Sequence, residues 1–296
     1  MRRSLLREAY FAIAQEAKKQ GIAFAGHVPA GITATEASDA GQRSIEHLSD
    51  VAVSCSSDQE ALQRALTEGL LKEDNSSAIR DLTVTETRAL NPYDRDKCAR
   101  LAALFVKNGT WHDPTLVTLR VNAFINDESF LRDERLRYIP RALREERNPK
   151  NSEFSKAMTV EEIAEAKRAF PVFLKIVGEM HRAGVQLLTG TDAPAVPYCF
   201  PGFGVHDELA LFVEAGLSPM EALQTATLNP ARYLRVQDSL GTIETGRIAD
   251  LVLLDADPLR DIRSTRRIDS VIVRGKPLDK KERERMLARV EAAADR

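Results

Sequence analysis

The chain predicts an α/β protein of parallel strands joined by crossover helices, and three observations carry that expectation. Helical spacings alternate with short apolar runs over most of the 296 residues. The runs are continuous, as expected of strands buried on both faces. Three of them also end on residues that can do chemistry: IAFAGH on His27, RSIEH on His47, and Val185 to Leu188 on the TGTDAP segment that holds Asp192. If such strands close into an α/β barrel, their carboxyl ends share one rim, where active sites form.

Taken in order, Leu5, Leu6, Ala9, Tyr10, Ile13 and Ala17 fall on one side of a helix that stops at Gly21. Ile22 to Gly26 reads as a strand. Thr33-Ala34-Thr35-Glu36 matches a capping box, in which a Thr hydroxyl and a Glu carboxylate satisfy free helix-start amides, so a short helix runs to about Gly41. Ser44 to Glu46 is the next strand. A helix is expected from Asp58 to Gly69, NSSAIRD reads as loop, and a second long helix spans Tyr93 to Asn108. GTWHDPTLV offers a third strand, interrupted at Asp113-Pro114.

Residues 120–156 are dense in Arg, Glu and Asp and read as an insertion, either a solvated helical excursion or a lid. A helix from Thr159 to Ala183 leads into the strand before Asp192. Ser218-Pro219 starts a further helix to Leu234, with Asn229-Pro230 as a break or second start. The texture then changes to short glycine-punctuated β segments. These expectations divide the chain into residues 1–234, a small β segment at 235–279 and a charged helical tail at 280–296.

A formal charge of −2 with interspersed signs gives no reason to expect nucleic acid, and no apolar run approaches the roughly 20 residues needed to cross a bilayer. Cys55, Cys98 and Cys199 are odd in number and widely spaced, without a C-x-x-C pair, and read as ordinary thiols. Arg7, Glu8 and Glu16 hem in the first apolar patch, so it reads as a helix and not a signal peptide.

A hydrolytic metal site needs imidazoles and carboxylates converging on one point with room for water. His27, His47 and Asp192 meet the requirement of type, and strand ends would supply the convergence. Each residue alone has a plainer role: a histidine can be a structural hydrogen-bonding group, and Asp192 a cap or turn residue before Pro194. His181 reads as structural near a helix end. His112 either faces a pocket or lies in a turn. His206, after the PGFG loop, either touches substrate or caps the helix that begins near Asp207.

Together GHVPAGITATEASDAGQRSIEHL, LLTGTDAP, PGFGVHDELALFVEAGLSPMEALQTATLNPARYL and GTIETGRIADLVLLDADPL resemble the amidohydrolase superfamily, in the group with imidazolonepropionase-like and Xaa-Pro dipeptidase-like enzymes. The likeness covers most of the chain outside Asp50 to Leu104 and 120–156. It implies about the second half of a TIM-type (β/α) barrel, with the appended β segment belonging to a composite sandwich domain. His27 and His47 would match the fifth- and sixth-strand ligands of one or two divalent ions, zinc being expected, and Asp192 the eighth-strand acid that activates water. Small-molecule or dipeptide-like amides are the implied substrates.

The family's first-strand His-x-His pair and fourth-strand lysine have no counterpart here, so the expectation is a carboxyl-terminal portion without the first barrel strands. Homo-oligomer formation is open, since exposed strand edges invite pairing. An export signal would lie on the upstream segment, and the cytoplasm is the default location. Two functions follow: a hydrolase of amide or peptide bonds with Asp192 as base, or a non-catalytic remnant or assembly module of the same fold. A deaminase is disfavoured, because its H-x-x-E pairing is missing where His27 is followed by Val28, Pro29 and Ala30.

Overall fold

The computed structural model describes residues 5–69, 75–146, 148–151, 155–156, 158–194 and 198–295. Three short strands, β1 (Ala25–Gly26), β2 (Ser44–Glu46) and β3 (Trp111–Asp113), lie parallel in sequence order, with Ser44 opposite Trp111 and Glu46 opposite Asp113. The Val185 to Leu188 run joins the far side of β3 as a parallel bridge at Leu187, not as a full strand. Its two backbone bonds, His112 N to Gln186 O at 3.0 Å and Leu188 N to His112 O at 2.8 Å, continue the ladder all the same. Parallel strands need crossovers, and helices fill each interval, which makes the fold α/β.

Local signals explain most of those helices. The capping box at Thr33 is present, with Glu36 N donating to Thr33 Oγ1 at 3.1 Å and Thr33 N donating to Glu36 Oε2 at 2.9 Å. Thr159 and Ser218 open the helices Val160–Arg182 and Pro219–Ala226 in the same way. The first helix, Arg7–Gln20, ends at Gly21 in the left-handed conformation and buries Tyr10, whose hydroxyl donates to Gln42 Oε1 at 2.8 Å.

The core lies between the parallel strands and the helices Arg95–Asn108, Leu116–Phe124, Val160–Arg182 and Gly204–Glu214. Ile45, Phe105, Ile176, Val177, Leu187 and Phe212 are all but sealed from solvent. Each such side chain contributes about 1.5–3 kcal/mol relative to exposure. Gly178 lets two of these helices touch: a Cβ there would sit 2.1 Å from the carbonyl oxygen of Ala215.

Several expectations are corrected. The NSSAIRD stretch opens a helix, Asn75–Arg88, which packs against the helices Gln59–Gly69 and Val160–Arg182 and buries Val84. Serine and asparagine suit turns in isolation, and tertiary packing overrides that preference. Cys55 and Cys98 are not ordinary thiols but a disulfide, their Cα atoms 4.5 Å apart, and Cys199 is the free, buried cysteine. Spacing in sequence cannot reveal a pairing made when the turn at Cys55 packs on the helix Arg95–Asn108. The break expected at Asn229-Pro230 in the Pro219 to Leu234 helix falls slightly earlier, at Thr227, between the helices Pro219–Ala226 and Leu228–Tyr233.

The charge-rich stretch 120–156 is helical over much of its described length, with short helices at Glu128–Leu131 and Arg141–Glu146 and a 3-10 turn at Glu134–Tyr138. Arg135 docks it on the rest of the chain. Its guanidinium lies 2.7 Å from Asp133, 2.6 Å from Asp207 and 4.4 Å from the Phe200 ring centroid. Beyond residue 234, β4 (Leu251–Leu254), β5 (Ile268–Val273) and β6 (Lys276–Leu278) form an antiparallel sheet, followed by the helix Lys280–Ala294. Among the described residues no helix is long and apolar enough to cross a membrane.

Candidate active site

The carboxyl ends of the parallel strands bring His27, His47 and Asp192 to one place. The two imidazole rings are 4.7 Å apart between centroids, and His47 Nε2 lies 3.8 Å from Asp192 Oδ2. All three side chains line a cavity of 310 Å³ and an adjoining one of 230 Å³.

Backbone conformation aims them. β2 ends at Glu46, and alternation would send the next side chain to the opposite face. His47 instead takes a left-handed φ of 59°, so Glu46 and His47 reach the same small cavity. Asp192 (φ 50°) and Thr115 (φ 45°) share this uncommon conformation. Non-glycine residues held there cost of order 1–3 kcal/mol each and concentrate where function over-determines geometry. The turn before Asp192 is tied down by Thr189, whose N–H donates to Thr225 O at 3.0 Å and whose hydroxyl lies 2.6 Å from that of Thr225.

Beneath the three residues lie groups that the sequence reading did not single out. Glu46 and Asp113 face one another across the β2–β3 register, and both line the smaller cavity. Burial, and then the adjacent Glu46 carboxylate, hold the Asp113 carboxyl well above the usual carboxylate range. Gly190 passes directly over Asp113: a Cβ on it would sit 2.0 Å from Oδ2. Thr115 Oγ1 lies 2.5 Å from His47 Nδ1. The register of two strands ending in Glu46 and Asp113 was the available signal for the carboxylate pair; Thr115 offered none.

The larger cavity is mostly apolar, with Leu82, Leu119, Phe170 and Phe173 among its walls and Glu86 and Asn122 as polar points. His112 is not part of either cavity. It is fully buried against Phe105, 4.3 Å between centroids, and burial pushes its imidazole down to about 3. His206 is also elsewhere: its Nδ1 is 3.0 Å from Thr265 Oγ1, and it lines a separate 680 Å³ cavity beside Arg266 and Met286. His181 pairs with Glu221 at 3.1 Å near its helix end.

Two imidazoles and a carboxylate suit zinc in chemical type. Ligand atoms of one tetrahedral zinc, at about 2.0–2.1 Å from the ion, stand roughly 3.3 Å apart, so the 3.8 Å between His47 Nε2 and Asp192 Oδ2 is close to that spacing. No group of three or more His, Cys, Asp or Glu is already drawn into a metal-holding cluster among the described residues. The donors therefore suit an ion in kind, and His47 and Asp192 also in spacing.

This fold and site define a class. The amidohydrolase family model matches residues 4–278, and the chain belongs to that family. An imidazolonepropionase of Pyrobaculum arsenaticum (strain DSM 13514 / JCM 11321 / PZ6) is 42% identical over 79 residues, 27% of this chain and 19% of that enzyme. Adenine deaminase 2 of Jannaschia sp. (strain CCS1) is 49% identical over 53 residues, 18% of this chain and 8% of that enzyme. Among solved structures, bottromycin amidohydrolase superposes with a TM-score of 0.66 at 21% identity, over 98% of this chain and 57% of its own. A Xaa-Pro dipeptidase with bound methionine superposes with a TM-score of 0.54 at 22% identity, over 93% and 49%. Identities at this level speak for the fold alone. The chain spans about half the length of these solved structures, and its matched segments cover under a fifth of the two curated relatives.

Proposed function

We propose that this chain carries the metal-binding and proton-accepting part of an amidohydrolase that cleaves amide or peptide bonds. The supporting observation is the meeting of His27, His47 and Asp192 at one cavity, with His47 Nε2 and Asp192 Oδ2 3.8 Å apart. On this reading the four parallel segments correspond to later strands of a TIM-type (β/α) barrel, residues 235–279 belong to a small β domain, and the helix Lys280–Ala294 is its charged tail.

His27, His47 and Asp192 would hold a divalent ion, zinc being the best match to the donors. When bound, such an ion polarises a carbonyl and lowers the pKa of water toward about 7. Asp192 accepts the proton of the water that attacks the carbonyl carbon, and returns it to the departing amine as the C–N bond breaks. Its position at the mouth of the cavity, 37% exposed, leaves it open to solvent and substrate alike. The Leu82, Leu119, Phe170 and Phe173 walls suit a small amide or dipeptide-like substrate with an apolar group beside the scissile bond.

The test is turnover of a panel of dipeptides, N-acyl amino acids, a cyclic amide and adenine by the zinc-supplemented protein, beside Asp192→Asn. Zinc-dependent amide cleavage that falls at least a hundredfold in the variant supports the proposal. Adenine deamination without amide cleavage would move the chain to the deaminases. An Asp192→Asn protein of full activity overturns the role of that residue, and no turnover with no ion bound favours a non-catalytic module.

A further inference from the structure

Helix Leu116–Phe124 begins in an unusual way. Thr115 occupies its N-cap position, where a threonine hydroxyl ordinarily accepts from an amide of the first turn. Here the hydroxyl caps nothing on its own helix. It turns away to His47 Nδ1 at 2.5 Å, and the residue adopts φ 45° and ψ 54°, a genuine outlier for a β-branched side chain.

The capping is done from another helix. Glu208, in Gly204–Glu214, is fully buried, and its Oε1 and Oε2 accept from Leu116 N and Val117 N, both at 2.8 Å. A buried carboxylate facing two free amides at a helix start has a clear electrostatic reason to be there. The same first turn reaches the other side of the site, where Thr118 Oγ1 contacts Thr191 O at 3.4 Å, next to Asp192.

We propose that Glu208 and Thr115 act together as positioning residues for His47. By capping the helix from outside, Glu208 frees the Thr115 hydroxyl to accept a hydrogen bond from His47 Nδ1–H, and this turns the ring so that Nε2 faces Asp192. Neither residue touches substrate. The inference rests on the site proposed above, since it gives His47 Nε2 its task. Partners of this kind on the far nitrogen of a ligating histidine typically change metal affinity or activity 10–100-fold when removed.

The experiment compares Thr115→Val, Thr115→Ser, Glu208→Gln and Glu208→Asp with the unmodified chain by two readouts. The first is long-range ¹H–¹⁵N NMR of the metal-free protein, which reports the proton on each nitrogen of His47. The second is the division of any loss between kcat and KM. The unmodified protein is expected to show His47 protonated on Nδ1. Thr115→Val, which keeps shape and β-branching, is expected to shift the proton toward Nε2 and to lower kcat at least tenfold with KM within twofold. Thr115→Ser restores both. Glu208→Gln, which retains one accepting oxygen, shifts the same two readouts in the same direction; if it fails to fold, Glu208→Asp must do so.

A His47 signal in Thr115→Val identical to that of the unmodified protein overturns the inference. So does a normal tautomer in the folded Glu208 variant. The NMR arm is independent of turnover, so an inactive parent protein would sink the hydrolase reading while leaving this arrangement to be judged on its own.

Discussion

Gly190→Ala tests how tightly the Asp192 turn is seated. The alanine Cβ would stand 2.0 Å from Asp113 Oδ2, 2.4 Å from Oδ1 and 2.5 Å from Cγ. Real Cβ contacts are essentially never below 3.0 Å, so something must move by about 1 Å. Asp113 cannot retreat freely, because Glu46 faces it across the register and the His47 N–H donates to its carbonyl at 2.9 Å. The turn carrying Asp192 is the part that lifts. Overpacking of this kind costs about 1–3 kcal/mol of stability, and a misplacement of about 1 Å costs on the order of 100-fold in turnover. The assay is kcat/KM together with thermal denaturation, in Gly190→Ala, Asp113→Ala and the double variant. Removing the carboxylate makes room, so Gly190→Ala should cost little more in the Asp113→Ala background. A Gly190→Ala protein with unchanged activity and melting temperature, or an equal loss in both backgrounds, refutes the reasoning.

Asp50 accepts from Ala34 N at 2.7 Å and Ser54 Oγ at 2.6 Å, and burial pushes its carboxyl up to about 7. The folded state thus holds the proton more tightly than the unfolded chain, so this contribution is fully present below about pH 4 and is lost as pH rises through 7. Asp50→Asn should flatten stability between pH 4 and 7 in urea titrations, and an unchanged slope would count against it. The Cys55–Cys98 bridge predicts one titratable thiol in the denatured, unreduced protein and three after reduction; three without reductant would refute the pairing. Arg135→Ala should destabilise by about 1–2 kcal/mol and speed proteolysis within Arg141–Glu146, by freeing Asp133 and part of Asp207. Cleavage at the original rate would show that this ion pairing does not hold the segment.

What the sequence made legible was local. Thr33 and Glu36 are three residues apart and carry a capping box in their chemistry, and Ser44 to Glu46 is the observed strand. The candidate ligands were legible because strand ends are recognisable even when the strands are two or three residues long. Remote pairings were not legible. Glu208 reaches amides 92 and 91 residues away, Cys55 meets Cys98 across 43, and Glu46 meets Asp113 only through strand register. The left-handed turns at His47 and Asp192 were hidden for another reason: nothing in a histidine or an aspartate announces a positive φ, which the surrounding packing imposes. His206 was legible as the neighbour of a glycine-rich loop, but its contact with Thr265 and its place in a separate cavity were not.

The most direct test is calorimetric titration of zinc into the metal-stripped chain, with His27→Ala, His47→Ala and Asp192→Asn beside it. If these three side chains meet at one ion, the unmodified protein binds zinc and each variant binds at least tenfold more weakly. Equal affinity in all four proteins would contradict the site.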